Sequence, residues 1–292
     1  MKKNQITGHT RMICLLGSPV AHSISPMMHN RSFELLDLDY AYLAFDIGTK
    51  DLASIVESFR KMNVRGFNLT MPDKTEMYPL CDELSDAARL IGAVNTVVHE
   101  NGKMIGYNTD GIGYMQAVKD AGFDIIGKKM TLLGAGGAAT SIAVQAALDG
   151  VSELTIFNRK SKTFEHGEEI VRKINEHTNC KAKICDLADW KLLNEELASS
   201  AILTNGTSIG MAPKEDACPL PEQVRLPEGL IISDIIYHPG ETQLLKKARE
   251  HGLPAFNGLY MLLYQGAEAF RLWTGKEMPV EQIKSEYFSN ET

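Results

Sequence analysis

The feature that most limits the possible folds is a glycine-rich turn between a predicted strand and a predicted helix. The apolar run Met130–Leu133 is typical of a buried strand, and the turn Gly134–Ala139 follows it directly. The next segment, Ala138–Leu148, has the composition of a buried helix that ends at Gly150, and a further strand is predicted at Leu154–Phe157. Strand, turn, helix and strand in this order predict a βαβ unit of a parallel sheet.

The turn has the residues that a dinucleotide phosphate requires. Gly134 permits a tight turn, Gly136 lets the backbone approach a pyrophosphate, and Ala139 is small enough for the helix to pack on the strand. Free N–H groups at the start of the helix then face the phosphate charge. We therefore predict dinucleotide binding at this turn, with a purely structural turn as the alternative. The predicted contacts are Gly134, Ala135, Gly136, Gly137 and Ala138.

The strand after this helix runs into Asn158 and Arg159, and no acid stands at its tip. An acid there would bind the ribose 2′-hydroxyl and repel a 2′-phosphate, so its absence permits NADP. Arg159 can instead stack on adenine with either cofactor, and Lys160 and Lys162 also fit a solvated basic loop. The choice between NAD and NADP stays open.

A chain of 292 residues is at the size where single cores usually split into two domains. Short β-rich runs alternate with amphipathic stretches, which is typical of α/β folds with mostly parallel sheets. We expect a discontinuous α/β substrate domain (residues 1–112 and 259–292), a Rossmann-type dinucleotide-binding domain (113–258) and a cleft between them. The final helix, Leu259–Trp273, is apolar nearly all round, so we expect it to be buried against the first domain.

Other predicted elements support this organisation. Thr49 is predicted to cap a helix whose apolar face carries five residues at helical spacing. That face consists of Leu52, Ile55, Val56, Phe59 and Met62. Further strands are predicted at Phe67–Thr70, Ala182–Cys185, Ala201–Thr204 and Leu230–Ile236.

The segment Val97–Gly106 predicts a β-hairpin, because Asn101-Gly102 suits a two-residue turn. Pairing outward from this turn brings Asn95 to the same end of the sheet as Asp110. The predicted pairs are Glu100 with Lys103, Val98 with Ile105, and Asn95 with Asn108.

Composition excludes several classes of protein. A formal net charge of −7 and a pI of about 5.7 argue against nucleic-acid binding, although a local cationic pocket for an anionic substrate remains compatible. The five cysteines form no CxxC pair, so we expect no zinc site and reduced thiols, as in a cytoplasmic protein.

Neither a membrane span nor a signal peptide is expected. The apolar run Ile13–Leu16 is too short for a signal-peptide core. Met130–Leu148 has no charge and roughly the length of a membrane span, but its glycines and hydroxyl residues make it a poor apolar helix.

Two serines stand at a predicted helix start. Ser25 precedes Pro26 and is predicted to be the N-cap, with proline at the first helical position. Ser23 is not needed for capping, so the two hydroxyls beside a helix N-terminus suit a carboxylate ligand. Capping alone is the competing interpretation.

Other polar residues cluster where strands meet loops. Thr70 ends the predicted strand Phe67–Thr70 and Lys74 follows it, and Tyr237 follows the predicted strand Leu230–Ile236. Gln265 lies on the apolar final helix, where a buried amide needs a partner.

Taken together, these blocks resemble the shikimate dehydrogenase family, and within it the quinate/shikimate branch. They occur in family order and cover nearly the whole chain. The matching blocks are Gly17–Asn30, Asn68–Lys74, Gly92–Thr96, Asn108–Asp110, Gly134–Ala139, Asn158–Arg159, Asn205–Gly210, Tyr237–Thr242 and Gly258–Gln265.

The resemblance implies hydride transfer between NAD or NADP and a ring alcohol, interconverting shikimate and 3-dehydroshikimate, and quinate and 3-dehydroquinate as a further pair. Lys74 and Asp110 would be the catalytic pair. Ser23 and Ser25, with Tyr237 nearby, would hold the substrate carboxylate. The ring hydroxyls would be held by Thr70, Lys74, Asn95, Asp110 and Gln265, and the cofactor also by Asn158, Arg159 and Gly258.

Several alternatives stay open. An unperturbed lysine has a pKa of about 10.4, high for a base near neutrality, so Lys74 is either a general base or an electrostatic anchor. The same scaffold also suits an aminated shikimate analogue, a folate-linked methylene dehydrogenase or a non-catalytic nucleotide sensor. The expected partner is a small ring carboxylic acid, and the expected state is a cytoplasmic monomer or homodimer.

Overall fold

The computed structural model describes residues 6–288 of the chain as an α/β protein. Contacts between Cα atoms divide it into two compact units. The first unit combines the residues up to Thr109 with those from Gln265 onward, and the second runs from Asp110 to Tyr264.

Strands and helices alternate along most of the chain. The strands are β1 (Arg11–Gly17), β2 (Tyr40–Asp46), β3 (Gly66–Leu69), β4 (Glu83–Leu84), β5 (Thr96–Glu100), β6 (Lys103–Tyr107), β7 (Lys129–Leu133), β8 (Glu153–Asn158), β9 (Lys181–Asp186), β10 (Ile202–Asn205), β11 (Ile231–Asp234) and β12 (Ala255–Phe256). The α-helices are α1 (Ser25–Leu35), α2 (Thr49–Lys61), α3 (Asp86–Ile91), α4 (Asp110–Asp120), α5 (Gly137–Asp149), α6 (Lys162–His177), α7 (Trp190–Ala198), α8 (Gln243–Glu250), α9 (Leu259–Thr274) and α10 (Val280–Tyr287).

The first unit contains a mixed sheet in the order β2-β1-β3-β5-β6-β4. Strands β2, β1 and β3 are parallel, whereas β5 runs antiparallel to both β3 and β6. The carboxyl ends of β1 and β3 therefore lie beside the start of β5, at one end of this sheet. The loops at this end carry polar residues of the unit.

The second unit contains a six-stranded sheet in the order β12-β11-β10-β7-β8-β9, with every pair parallel. This is the Rossmann-type arrangement that the glycine turn predicts, because β7, α5 and β8 form its central βαβ unit. The strands predicted from sequence for this unit are confirmed to within a few residues at each end. Helix α5 ends with Asp149. The glycine predicted at its end, Gly150, follows as the C-cap with a φ of +104°.

Helix α2 packs on the first sheet as its spacing predicts, with Leu52, Val56 and Phe59 in the core. Two details of the prediction are wrong. Gly48 occupies the N-cap position with no side-chain cap, so Thr49 is the first helical residue. Met62 lies beyond the last turn of the helix and is 60% exposed, because the helix ends before the apolar face reaches it.

The part of α9 that belongs to the first unit is anchored to the sheet. The indole of Trp273 is buried and donates from Nε1 to the Val97 carbonyl over 2.9 Å. Arg65 donates from Nε to the Trp273 carbonyl over 2.7 Å, so the end of the helix is tied to β3 and β5. Across residues 6–288, we find no helix with the length and apolar content needed to span a membrane.

Candidate active site

The hairpin has the predicted register. Asn101 and Gly102 have φ values of +51° and +76°, as a two-residue hairpin turn requires, and Glu100 lies opposite Lys103. The ladder reaches Thr96 opposite Tyr107, and the Asn95 N–H then donates to the Tyr107 carbonyl over 3.0 Å. The side chain of Asn95 is thereby brought to the end of the sheet.

Four buried side chains form a hydrogen-bonded group at this end, which we call the amide cluster: Asn68, Asn95, Thr96 and Thr109. Asn68 Nδ2 donates to Thr96 Oγ1 over 2.9 Å, and Thr96 Oγ1 donates to Asn95 Oδ1 over 3.0 Å. Thr109 N–H donates to the same Asn95 oxygen over 2.8 Å. Of these residues, sequence analysis selected Asn95 alone as a ligand.

Lys74 lies close to this cluster through its backbone. Its carbonyl accepts a hydrogen bond of 2.8 Å from the N–H of Val94, the residue before Asn95. The N–H of Thr70 donates to the Leu16 carbonyl over 2.9 Å. Backbone hydrogen bonds therefore hold both ends of the segment from Thr70 to Lys74. The Lys74 side chain is half-buried.

The two serines lie at the start of α1, but with roles different from those predicted. Ser25 is the first helical residue, and its N–H donates to Ser23 Oγ over 3.2 Å, so Ser23 satisfies a free N–H of the helix. The prediction that Ser25 is the N-cap is wrong, because Ile24 holds that position. Proline still stands at the helix start, and both hydroxyls remain beside it.

The predicted substrate ligands divide between the two units. Ser23, Ser25, Thr70, Lys74, Asn95 and Gln265 belong to the first unit, and Asp110 and Tyr237 belong to the second. Asp110 is the first residue of α4 and is buried, and a carboxylate is favoured at a helix N-terminus. Tyr237 follows β11 and is 39% exposed. The pairing of Lys74 with Asp110 stays a prediction.

The glycine turn has the geometry of a phosphate cradle. Gly134 has a φ of +98°, and a Cβ built there would lie 2.9 Å from Thr207 Cγ2, so this position requires glycine for the fold itself. Gly136 and Gly137 face open space, since a Cβ on either would meet nothing within 4 Å. The backbone at the start of α5 is therefore accessible, and it fits a bound pyrophosphate.

The residues after β8 are organised by local contacts. Asn158 donates from Nδ2 to Thr163 Oγ1 over 2.9 Å, which ties the strand end to the start of α6. The Lys160 ammonium lies 3.5 Å from the ring centroid of Phe164, a cation–π contact, and the residue is exposed as in a solvated loop. Gly258 is required by packing, because a Cβ there would lie 1.9 Å from the Ile235 carbonyl oxygen.

A second hydrogen-bonded group, to which sequence analysis assigned no role, lies beside this turn and consists of the buried Asp234, Asn205 and Thr242 with the half-buried Thr207; we call it the carboxylate cluster. Asp234 accepts from Asn205 Nδ2 over 3.0 Å and from Thr242 Oγ1 over 2.8 Å. Burial raises the pKa of Asp234 from 3.8 to about 6, against these hydrogen bonds and one from the Ile236 N–H. The matching blocks contain Asn205, Thr207 and Thr242 without a role, and Asp234 was signalled only as an acid at the end of an apolar run.

Asn205 connects Asp234 to the glycine turn through hydrogen bonds to Thr207. Its Oδ1 accepts from the N–H and the hydroxyl of Thr207 over 3.0 and 2.7 Å. Thr207 is the residue whose methyl group closes over Gly134. Within residues 6–288, no group of three or more His, Cys, Asp or Glu side chains is arranged to hold a metal ion.

Comparison with known proteins agrees with this geometry. Residues 15–97 match the model of the shikimate dehydrogenase substrate binding domain, and residues 258–286 match the shikimate 5'-dehydrogenase C-terminal domain. Shikimate dehydrogenase (NADP(+)) from Listeria innocua is 54% identical over 284 residues, which cover 97% of this chain and 98% of that protein.

Solved structures give the same result. Shikimate 5-dehydrogenase from Listeria monocytogenes, in complex with shikimate and NAD, superposes with a TM-score of 0.94 at 53% identity, covering 96% of this chain and 97% of that one. Quinate dehydrogenase from Corynebacterium glutamicum, in complex with NAD, has a TM-score of 0.84 at 26% identity, covering 94% and 98%. This chain belongs to the shikimate dehydrogenase family.

Proposed function

We propose that this chain is an NAD(P)-dependent dehydrogenase that interconverts shikimate and 3-dehydroshikimate in the shikimate pathway. The observation that carries the proposal is its 54% identity, over nearly its full length, to a protein named shikimate dehydrogenase (NADP(+)). The amide cluster supports a polyhydroxylated substrate, because amide and hydroxyl groups held in fixed directions suit ring hydroxyls.

The proposed substrate site takes its ligands from the predicted set. Ser23 and Ser25 hold the carboxylate with Tyr237, and Thr70, Asn95 and Gln265 hold ring hydroxyls. Two hydroxyls beside the α1 N-terminus suit an anionic carboxylate.

Lys74 and Asp110 are the proposed catalytic residues. Lys74 hydrogen-bonds the reacting ring oxygen and assists the transfer of its proton. Asp110 contacts the same region of the substrate. In alcohol oxidation a neutral Lys74 amine accepts this proton, and in ketone reduction the resulting ammonium returns it to the ring oxygen. As an electrostatic anchor, the Lys74 ammonium would instead stabilise the negative charge on that oxygen while the proton passes to water.

The glycine turn at Gly134, Gly136 and Gly137 is the proposed pyrophosphate site, with Ala135 and Ala138 beside it. Asn158 and Arg159 lie at the proposed adenosine end, and Gly258 shapes the second unit near its last strands. When bound, the dinucleotide supplies the hydride acceptor for alcohol oxidation and the donor for ketone reduction. Arg159 and the absence of an acid at the end of β8 support NADP.

The test is the value of kcat/KM for shikimate or quinate, each with NAD or NADP, measured by absorbance of the reduced cofactor. We expect the shikimate and NADP pair to give the highest value. Absence of reduced cofactor with shikimate, while cofactor binding stays intact, would support the non-catalytic sensor. Turnover with an aminated analogue in place of shikimate would support the other alternative. We also propose a cytoplasmic monomer or homodimer, and sedimentation of the purified chain distinguishes these two oligomeric states.

A further inference from the structure

The amide cluster is connected to one more buried group, the phenol of Tyr42 on β2. Tyr42 is 1% exposed, and its hydroxyl donates to Asn68 Oδ1 over 2.8 Å. The Asn68 amide then donates through Nδ2 to Thr96 Oγ1 and to the Asn95 carbonyl. A hydrogen-bond chain therefore runs from Tyr42 through Asn68 and Thr96 to the Asn95 side chain.

The direction of this chain is set by Tyr42 together with backbone groups that can only donate or only accept. Burial raises the pKa of the phenol well above its ordinary value, and the neighbouring Ser25 side chain opposes that rise only in part. The hydroxyl donates its proton to Asn68 Oδ1, while the Asn95 carbonyl, which can only accept, takes the Asn68 NH2 group, so the two contacts together orient the Asn68 amide. Thr96 Oγ1, which accepts from Asn68, donates its own proton to Asn95 Oδ1, and this donor together with the Thr109 N–H orients the Asn95 amide.

The ring of Tyr42 is itself held tightly. His29 stacks on it with ring centroids 4.5 Å apart and an interplanar angle of 17°, and the Trp273 ring lies 6.0 Å away. The side chain of Asn30 forms two hydrogen bonds of 2.8 Å with the backbone of Tyr42, one from Nδ2 to the carbonyl and one from the N–H to Oδ1. Because both the backbone and the ring are fixed, the phenol oxygen has one available position.

We propose that Tyr42 is a positioning residue for substrate binding, which orients the amides of Asn68 and Asn95 through this directional chain. The inference rests on the proposed function, since it takes Asn95 as a ligand of a ring hydroxyl. Tyr42 acts through other residues and contacts neither Lys74 nor the glycine turn by any hydrogen bond among those described above. Its effect belongs to shikimate affinity and not to the cofactor.

The experiment compares Tyr42→Phe with the wild type and with Tyr114→Phe. Tyr114 is a matched control because it too is a buried tyrosine with a hydrogen-bonded hydroxyl. Its partner is Thr204, and both residues lie in the second unit. Removing the Tyr42 hydroxyl leaves the buried Asn68 Oδ1 without its donor, so the Asn68 amide is held on one side only. We expect the KM for shikimate to rise about 3- to 10-fold, with kcat and the KM for NADP changed less than about twofold.

Tyr114→Phe should leave the KM for shikimate unchanged, even if it lowers the free energy of unfolding as much as Tyr42→Phe does. An unchanged shikimate KM in Tyr42→Phe, or an equal rise in both variants, overturns the inference. Shikimate affinity measured by calorimetry separates the two levels of the argument. Wild-type protein that neither binds nor oxidises shikimate removes the proposed function together with this inference, whereas an active wild type and an unaffected Tyr42→Phe remove the inference alone.

A second pair of variants keeps the test decisive if Tyr42→Phe does not fold. Thr96→Val removes the hydroxyl that passes the orientation to Asn95, and Thr96→Ser keeps it. We expect Thr96→Val to raise the shikimate KM by about the same 3- to 10-fold, and Thr96→Ser to remain within about twofold of the wild type. Equal KM values for the two variants contradict the hydrogen-bond chain.

Discussion

The two units each fix an asparagine at the end of a parallel strand, but they use different chemistry. In the first unit, Asn68 at the end of β3 accepts from the neutral phenol of Tyr42. In the second unit, Asn205 at the end of β10 donates to the carboxyl of Asp234. Each asparagine bonds a residue beside a proposed binding site, Asn95 in the first unit and Thr207 in the second.

Because of this difference, the two units should be sensitive to different changes. The first unit presents side chains to its ligand, and its amide cluster contains no group that titrates near neutrality. The second unit contributes the proposed side-chain ligands Asp110 and Tyr237, but to the pyrophosphate it presents backbone at Gly136 and Gly137, beside a carboxyl whose pKa lies at about 6. Loss of a side chain should therefore damage the first unit's function, whereas pH and added bulk should affect the second.

The largest expected effect is that of Lys74→Ala, which tests whether chemistry depends on a side chain of the first unit. Loss of the proposed proton-handling group should lower kcat about 10²- to 10⁴-fold, with thermal unfolding nearly unchanged because this side chain is only half-buried. Asp110→Asn should also lower kcat. Near-normal turnover with unchanged substrate affinity in both variants removes the pair from the mechanism. Steady-state kinetics with shikimate and NADP provide the measurement.

Asp234→Asn tests the titrating support of the second unit. The folded pKa of about 6 exceeds the ordinary 3.8, so the protonated carboxyl favours the folded state below about pH 4. This contribution is lost as the pH rises through 6, and it amounts to about 3 kcal/mol at most. The free energy of unfolding of Asp234→Asn should therefore improve relative to the wild type between pH 4 and 7.

Denaturant unfolding across that pH range measures the effect, with Asp216→Asn as a control because Asp216 is exposed in the same unit. A constant difference between Asp234→Asn and the wild type at every pH would show that this carboxyl does not titrate in the range. The amide cluster predicts the opposite behaviour for the first unit: the KM ratio of Tyr42→Phe to wild type should be the same at pH 6 and pH 8.

These clusters also show what sequence reasoning can find. The hairpin follows from Asn101-Gly102 and the βαβ unit from Gly134–Ala139, because both are encoded by neighbouring residues. Tyr42 and Asn68 are 26 positions apart, and Asn205 and Asp234 are 29 apart. No periodicity or spacing links such pairs, since the topology of the sheet alone brings them together.

The two wrong caps have a different cause. Thr49 and Ser25 each lie one residue inside the helix that they were predicted to cap. Cap chemistry in the sequence locates a helix start to within a residue or two, but the backbone dihedrals decide which residue is the cap. The family resemblance supplied the proposed site residues as a set, but it assigned no role to supporting groups such as Asn68 and Asn205, and its blocks do not contain Tyr42 or Asp234.

Glu196→Gln tests an ionic support of the second unit with the opposite pH response. Burial raises the pKa of Glu196, but hydrogen bonds from Lys183, Thr155 and Lys129 outweigh it and lower the pKa to about 2. Its stabilisation is present above pH 4.5 and is lost as the pH falls toward 2. Because Lys183 is half exposed, we expect a loss of about 2 kcal/mol at pH 7. Denaturant unfolding checks this, with the exposed neighbour Glu195→Gln as control.

The smallest change in the protein's own energy is expected for Gly136→Ala, which tests whether the second unit recognises its ligand through backbone. Gly136 has a φ of −81°, which alanine adopts readily, and its added methyl group meets no atom within 4 Å. The free energy of unfolding should therefore change by less than about 1 kcal/mol, the cost of alanine at an N-cap. The methyl group nevertheless occupies the space of the pyrophosphate, so the KM for NADP should rise about 10-fold or more.

Gly134→Ala provides the contrast that makes this result interpretable. Its φ of +98° and the 2.9 Å approach to Thr207 should cost about 1–3 kcal/mol of folding stability. One methyl group thus lowers stability at Gly134 and cofactor affinity at Gly136, two positions apart in the same turn. An unchanged NADP KM in a stable Gly136→Ala variant would mean that the open space above α5 is not where the phosphates bind. The second unit would then have to recognise the cofactor through side chains, as the first unit recognises its substrate.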